Sequence, residues 1–368
     1  MAAAFERRGI SLMLLLNPGP VTLSERVRRS MLQPDLCHRE GEFFDLQDEV
    51  RQGLLDVYGL SPETWAAVLM TASGTGAVES MVAALVPARG RLLIAENGVY
   101  GERIAQMCTQ YSIPHERVVG DWMQPIDPDA VARRLSDPAA GFTHLAMVHH
   151  ETTTGRLNDL KPLTGLCRKH GIGLLLDAVS SFGAEAIDFG DESLFAVAAT
   201  ANKCLHGVPG AAFVIARRDA LEQAASRTYY LDLRRLMRMQ EARNTPFTPA
   251  VHAYYALREA LREFAETGGR VARHRRYAAL AERVRTGLME LGIAGVLPPE
   301  QSSVVLRSYF LPPALSYEGL HDALKSEGFV IYAGQGGLAT TLFRISTMGE
   351  LVDADMQRLL TCFAGLTR

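Results

Sequence analysis

Short apolar runs at 67–70, 91–95, 144–149 and 173–177 alternate with longer stretches whose apolar residues recur at helical spacing, and this alternation constrains the fold most. The stretch 76–85 follows a Gly-rich turn, Ile104, Met107 and Cys108 mark one face of 103–111, and 160–170 ends in a basic turn and Gly171, a helix stop. A strand followed by a helix and another strand returns in the same direction. The pattern therefore predicts an α/β chain with a mainly parallel sheet covered by helices on both faces.

Near Phe247-Thr248-Pro249 the pattern changes. Long helices are predicted over 251–268 and 272–291, the second ending at Gly292. Beyond Pro298-Pro299 come a strand over 303–310, a helix over 317–327, short strands over 329–332 and 341–346, and a last helix from Asp353. This second part reads as a smaller α+β domain. With 368 residues, enough for two domains, we expect an N-terminal arm over 1–20, a large domain over 21–265 and a small C-terminal domain over 266–368.

Composition narrows the function. Apolar residues at 48% and charged residues at 21% can build a sizeable core, and a net charge of -3 offers no footprint for a polyanion, so no nucleic-acid partner is expected. The apolar run 12–16 is far shorter than the roughly 20 residues that span a bilayer and runs into Asn17-Pro18-Gly19-Pro20, so it reads as a buried strand and no membrane association is expected. Five cysteines without CxxC spacing imply reduced thiols and a cytoplasmic protein. His149 and His150 on one strand would point to opposite faces, and neither His38 nor His206 has further ligands at a convincing spacing, so no metal is expected.

Three features carry chemistry. Ser73-Gly74-Thr75-Gly76 lies between a strand and a helix, where backbone N–H groups and hydroxyls suit a phosphate; alone, such a turn can equally be structural. Asp177 closes an apolar strand at the edge where open α/β sheets place ligands, although it could simply cap the next helix. Lys203 sits among small and apolar residues that would lower its pKa and make it nucleophilic, whereas an ordinary lysine is solvated. Their order decides the reading. A phosphate turn, then a strand-end acid, then a sheltered lysine is the layout of a pyridoxal 5'-phosphate site.

At this point the chain resembles the class V aminotransferases of fold type I, and within them the 2-aminoethylphosphonate:pyruvate subgroup. The likeness rests on Leu15-Leu16-Asn17-Pro18-Gly19-Pro20, Ser73-Gly74-Thr75, Asn97-Gly98-Val99-Tyr100-Gly101, Glu151-Thr152-Thr153-Thr154-Gly155, 177–183, 201–210, Phe247-Thr248-Pro249 and Phe343-Arg344-Ile345. It implies that Lys203 forms the Schiff base and shuttles the proton, and that Asp177 keeps the pyridine nitrogen protonated. By the same resemblance Tyr100 and Val179 flank the ring, Thr152 bonds the phenolic oxygen, and Ser73, Gly74, Thr75 and Asn202 hold the phosphate. Thr248 would join them from the neighbouring subunit of a homodimer, and Arg344 would fork onto the substrate carboxylate. The partners implied are a small-molecule amine donor and a 2-keto acid.

Two segments depart from the subgroup. The stretch Leu36-Cys37-His38-Arg39-Glu40-Gly41-Glu42-Phe43 is closer to serine and alanine:glyoxylate relatives, and Tyr332-Ala333-Gly334-Gln335-Gly336-Gly337 lacks the usual Pro-Gly-Lys. A serine or alanine:glyoxylate aminotransferase and a non-catalytic ligand-binding protein therefore stand as alternatives. Arg39 is a candidate contact for the amine donor; its other reading is a surface arginine paired with Glu40 or Glu42.

Overall fold

A computed structural model describes residues 13–366. Its strands, in chain order, are β1 (Leu14–Leu15), β2 (Trp65–Met70), β3 (Leu92–Glu96), β4 (His115–Val119), β5 (His144–Val148), β6 (His150–Glu151) and β7 (Arg156–Leu157). They continue with β8 (Gly173–Asp177), β9 (Leu194–Thr200), β10 (Ala212–Arg217), β11 (Leu306–Phe310), β12 (Phe329–Val330), β13 (Tyr332–Ala333) and β14 (Leu342–Ser346). Seven form the central sheet in the order β2-β10-β9-β8-β5-β3-β4. β10 is antiparallel to both neighbours and every other pair in the sheet is parallel. The α/β fold with a mainly parallel sheet is therefore present.

The helices that matter for the site are α1 (Gly41–Asp56), α2 (Gly74–Leu85), α3 (Val99–Gln110), α4 (Lys161–His170), α5 (Val251–Glu266), α6 (Gly269–Glu290) and α7 (Asp353–Leu366). Side chains alternate across a strand, so each buried strand feeds two cores. Trp65, Ala67, Leu69, Leu174 and Leu176 pack with Phe43 and Val50 of α1, Leu163 of α4 and Leu257 of α5. Ala66, Val68, Met70 and Leu175 pack instead with Val78 and Met81 of α2 and Ile104 and Cys108 of α3. β4 escapes the sequence pattern because it is an edge strand: none of His115, Glu116, Arg117, Val118 and Val119 is buried, and no apolar run is required there.

A third core joins Leu280, Val284 and Leu288 of α6 to Phe343 and Ile345 of β14 and to Met356, Leu359 and Phe363 of α7. Leu14 and Leu16 belong to it, because β1 pairs in parallel with β12 through Leu14↔Phe329. The strand expected over 12–16 is thus seen as β1; Leu12 lies outside the described residues, as do 1–11 of the expected arm. From this core Asn17-Pro18-Gly19-Pro20 leads to the mouth of the central sheet, where Gly19 meets the side chain of Lys203. No helix among the described residues is long and apolar enough to cross a membrane.

Candidate active site

The ends of β5 and β8, the turn after β9 and the first turns of α2 and α3 converge on one cavity. Thr75, Tyr100, Asp177, Val179 and Lys203 line it, together with Arg103 and His150. This is where an open α/β sheet places a ligand. Asp177, the last residue of β8, is buried, and its Oδ1 accepts the Val179 N–H at 2.9 Å. Burial pushes its carboxyl up to about 6. Lys203 donates to the Pro18 carbonyl, and burial lowers its amine to about 8. A hidden acid and a hidden amine in one cavity are each perturbed toward their neutral forms, the signature of groups set up for chemistry.

Above them, α2 starts at Gly74 with Ser73 as its N-cap, and the Ser73 hydroxyl makes no capping bond to the helix. Free N–H groups of a helix start, beside the exposed hydroxyls of Ser73 and Thr75, suit an anion. Gly74 is required by space: a Cβ there would lie 2.7 Å from Val179 Cγ1. Asn202 stands nearby in sequence to Lys203, its Oδ1 accepting from Thr200 Oγ1 at 2.8 Å.

The Glu151-Thr152-Thr153-Thr154-Gly155 turn ties the cavity to the C-terminal core. The Thr152 carbonyl accepts from Arg344 Nη1 at 2.8 Å, while Arg344 Nε donates to the Ala333 carbonyl at 2.7 Å and Nη1 also to Gln335 Oε1 at 3.1 Å. Arg344 is buried in β14 and held by neutral acceptors, and desolvation lowers its pKa. The same turn fixes α3. Thr153 Oγ1 accepts from Val99 N at 3.2 Å and donates to Glu151 Oε1 at 2.6 Å, and a Cβ at Gly98 would sit 2.2 Å from Glu151 Cδ. Burial raises the Glu151 carboxyl to about 7, and its Oε2 has no hydrogen-bond partner.

Comparison with known proteins decides the family. The class V aminotransferase model matches residues 32–345. The 2-aminoethylphosphonate–pyruvate transaminase of Vibrio vulnificus (strain CMCP6) is 37% identical over 355 residues, 94% of this chain and 95% of its own length. The enzyme of the same name from Bacillus cytotoxicus is 34% identical, over 95% of this chain and 97% of its own. This chain belongs to the class V aminotransferases. Among solved structures, the alanine–glyoxylate aminotransferase of Nostoc sp. superposes with a TM-score of 0.89 at 26% identity, covering 97% of this chain and 96% of its own.

The cofactor of these aminotransferases is pyridoxal phosphate, and the cavity fits it. It offers a sheltered amine, a carboxyl with one protein hydrogen bond, an open helix start, and an aromatic and a branched aliphatic side chain for a flat ring. His150 adds a buried Nε2 without a partner, its Nδ1 lying 2.9 Å from the Ser180 carbonyl.

Ser73, Gly74, Thr152, Asn202 and Arg344 do not themselves line the cavity, and two further sequence candidates lie elsewhere. Arg39 is exposed and donates to Asn244 Oδ1 at 3.1 Å and the Thr245 carbonyl at 2.9 Å rather than pairing with Glu40 or Glu42. Thr248 is exposed on that same loop, in a crevice with Thr71, Tyr230 and Phe247. Neither lines the Lys203 cavity of its own chain. The two histidines also differ from expectation: β5 ends at Val148 and β6 starts at His150, so they do not share one strand. No group of His, Cys, Asp and Glu among the described residues is arranged to hold a metal.

Sequence reasoning passed over Arg103, His150, Glu151, Thr153 and Gln335. His150 was weighed as a metal ligand and Glu151 as part of a string, but their roles come from what they face. Arg103 carried a signal that could have found it, since three residues after Tyr100 on a helix places both on one face.

Proposed function

We propose that this aminotransferase moves the amino group of 2-aminoethylphosphonate to pyruvate, giving phosphonoacetaldehyde and L-alanine in a ping-pong cycle. The observation that carries the reading is the pairing of full-length likeness to enzymes of that name with a cavity that holds both Lys203 and Asp177.

When bound, pyridoxal phosphate supplies the aldehyde that carries nitrogen between the two substrates and a ring that accepts the electron pair left by deprotonation. Lys203 would hold the cofactor's aldehyde carbon and move the proton from the substrate's Cα; an amine lowered to about 8 is a competent base near neutral pH. Asp177 would keep the proton on the ring nitrogen. Tyr100 and Val179 would bound the two ring faces, and the Thr152 hydroxyl would meet the phenolic oxygen. Ser73, Gly74, Thr75 and Asn202 would hold the phosphate at the start of α2.

Arg344, pinned by neutral acceptors, keeps its charge for the anionic end of each substrate in turn. Arg39 and Thr248 share one surface away from their own cavity, which supports a homodimer in which both reach the site of the other copy. The break between α5 and α6 supports a division into a large domain ending near residue 265 and a small one beginning at 266. Five unpaired cysteine thiols support a cytoplasmic location.

The test is a panel of donors, 2-aminoethylphosphonate, serine and alanine, with pyruvate or glyoxylate, scored by the alanine or glycine formed. Activity with 2-aminoethylphosphonate and pyruvate is expected. Robust turnover of serine or alanine with none of the phosphonate would favour the glyoxylate-type alternative, to which the Leu36-Cys37-His38-Arg39 segment points.

A further inference from the structure

Besides Lys203 and Asp177, one charged side chain borders the cavity: Arg103. It stands one turn after Tyr100 on α3, and its guanidinium carbon lies 4.7 Å from the centre of the Tyr100 ring. Nη1 donates to Thr75 Oγ1 at 3.2 Å, in the first turn of α2. Arg103 therefore links the start of one helix to the aromatic residue of the next.

Its partners are a hydroxyl and a π face, and among the described residues it forms no ion pair. The positive charge is left for something in the cavity. The anion cradle needs it. Its other donors are backbone N–H groups, hydroxyls and the neutral Asn202 amide, a helix start is equivalent to only about half a unit of charge, and a phosphate monoester carries nearly two negative charges above its second pKa of about 6.

We propose that Arg103 is the cationic anchor of the cofactor's phosphate, reaching it beside Thr75. The inference rests on the pyridoxal phosphate reading of the cavity. It separates two tasks within one helix turn: Tyr100 meets the ring, and Arg103 meets the phosphate.

Apoprotein titrated with pyridoxal phosphate and with pyridoxal, which lacks the phosphate, tests it by the change in protein fluorescence. Arg103→Gln should weaken pyridoxal phosphate binding about ten- to hundredfold and leave pyridoxal within about twofold. Arg103→Lys should fall between, because it keeps the charge and loses the fork, and it carries the same comparison should the glutamine variant not fold. Equal weakening of both ligands would reduce Arg103 to a packing partner of Tyr100 and overturn the proposal. So would unchanged pyridoxal phosphate affinity with a raised KM for 2-aminoethylphosphonate, which would give Arg103 to the substrate. A wild type that takes up neither ligand would instead sink the cofactor reading itself.

Discussion

Arg344 donates through Nη1 to the carbonyl of Thr152 at 2.8 Å, so the residue proposed for the substrate anion is braced by the residue proposed for the phenolic oxygen. The brace leaves the charge uncompensated, since a carbonyl aligns a guanidinium without neutralising it. Removing Arg344 should therefore harm both halves of the reaction. Arg344→Ala is expected to lower kcat/KM about a hundredfold or more with the amine donor and with pyruvate alike. Gln335→Ala, which removes one acceptor of Nη1, should cost about three- to tenfold in the same two half-reactions, measured separately.

Asp177 is a buried acid whose folded pKa, about 6, lies above its unfolded value of about 3.8. The fold disfavours the charged form, so the cost is full above pH about 6 and vanishes as pH falls through the unfolded value. Asp177→Asn should thus stabilise the cofactor-free protein at pH 8 by on the order of 3 kcal/mol and leave it unchanged near pH 3. The same substitution should slow turnover about a thousandfold. Thermal unfolding at the two pH values and steady-state rates check both halves; a variant with wild-type turnover would leave Asp177 as a cap.

How much of this was legible in the sequence follows from what each group depends on. Asp177 and Lys203 could be found because an acid at a strand end and an amine in an apolar segment are local patterns, and β8 fell on Gly173–Asp177 as the apolar run indicated. β10 and the reversal of the sheet at that strand were not visible, because direction depends on pairing and not on periodicity. Glu151 and Thr153 were in view as letters of a string, yet their grip on α3 depends on Gly98, the residue just before that helix, coming within van der Waals reach of Glu151. Arg39 looked like a loop residue near the site; its bonds to Asn244 and Thr245 could only be seen once α1 and α5 were packed side by side.

In the proposed role, Lys203 sets the pH at which cofactor is captured. With the amine at about 8, the neutral nucleophile grows as pH rises toward that value and is nearly complete above it. The rate of pyridoxal phosphate uptake by apoprotein should rise with pH and level off above about 9. Lys203→Ala should bind the cofactor without a covalent link and lose transamination. After borohydride reduction and proteolysis of the wild type, the labelled peptide should contain Lys203; a label on another lysine would remove it from the site.

Thr153 joins the Glu151 carboxyl to the start of α3. Thr153→Val keeps the volume, leaves the Val99 N–H without its acceptor, and leaves Glu151 Oε1 with only the N–H of residue 153 at 3.2 Å. We expect a loss of about 1–2 kcal/mol in stability and a cofactor affinity lowered about three- to tenfold, because Tyr100 rides on the first turn of that helix. Denaturant unfolding and a cofactor titration on the same variant check the two effects.

The central claim is that one cavity takes nitrogen from a phosphonate amine and later yields it to a keto acid. Protein loaded with pyridoxal phosphate and mixed with 2-aminoethylphosphonate alone, without any keto acid, tests it most directly. We expect loss of the cofactor's visible absorbance and release of phosphonoacetaldehyde in amounts stoichiometric with the chain. Adding pyruvate should then restore the absorbance and release an equal amount of alanine. An absorbance that stays unchanged with 2-aminoethylphosphonate but is discharged by serine or alanine would contradict it.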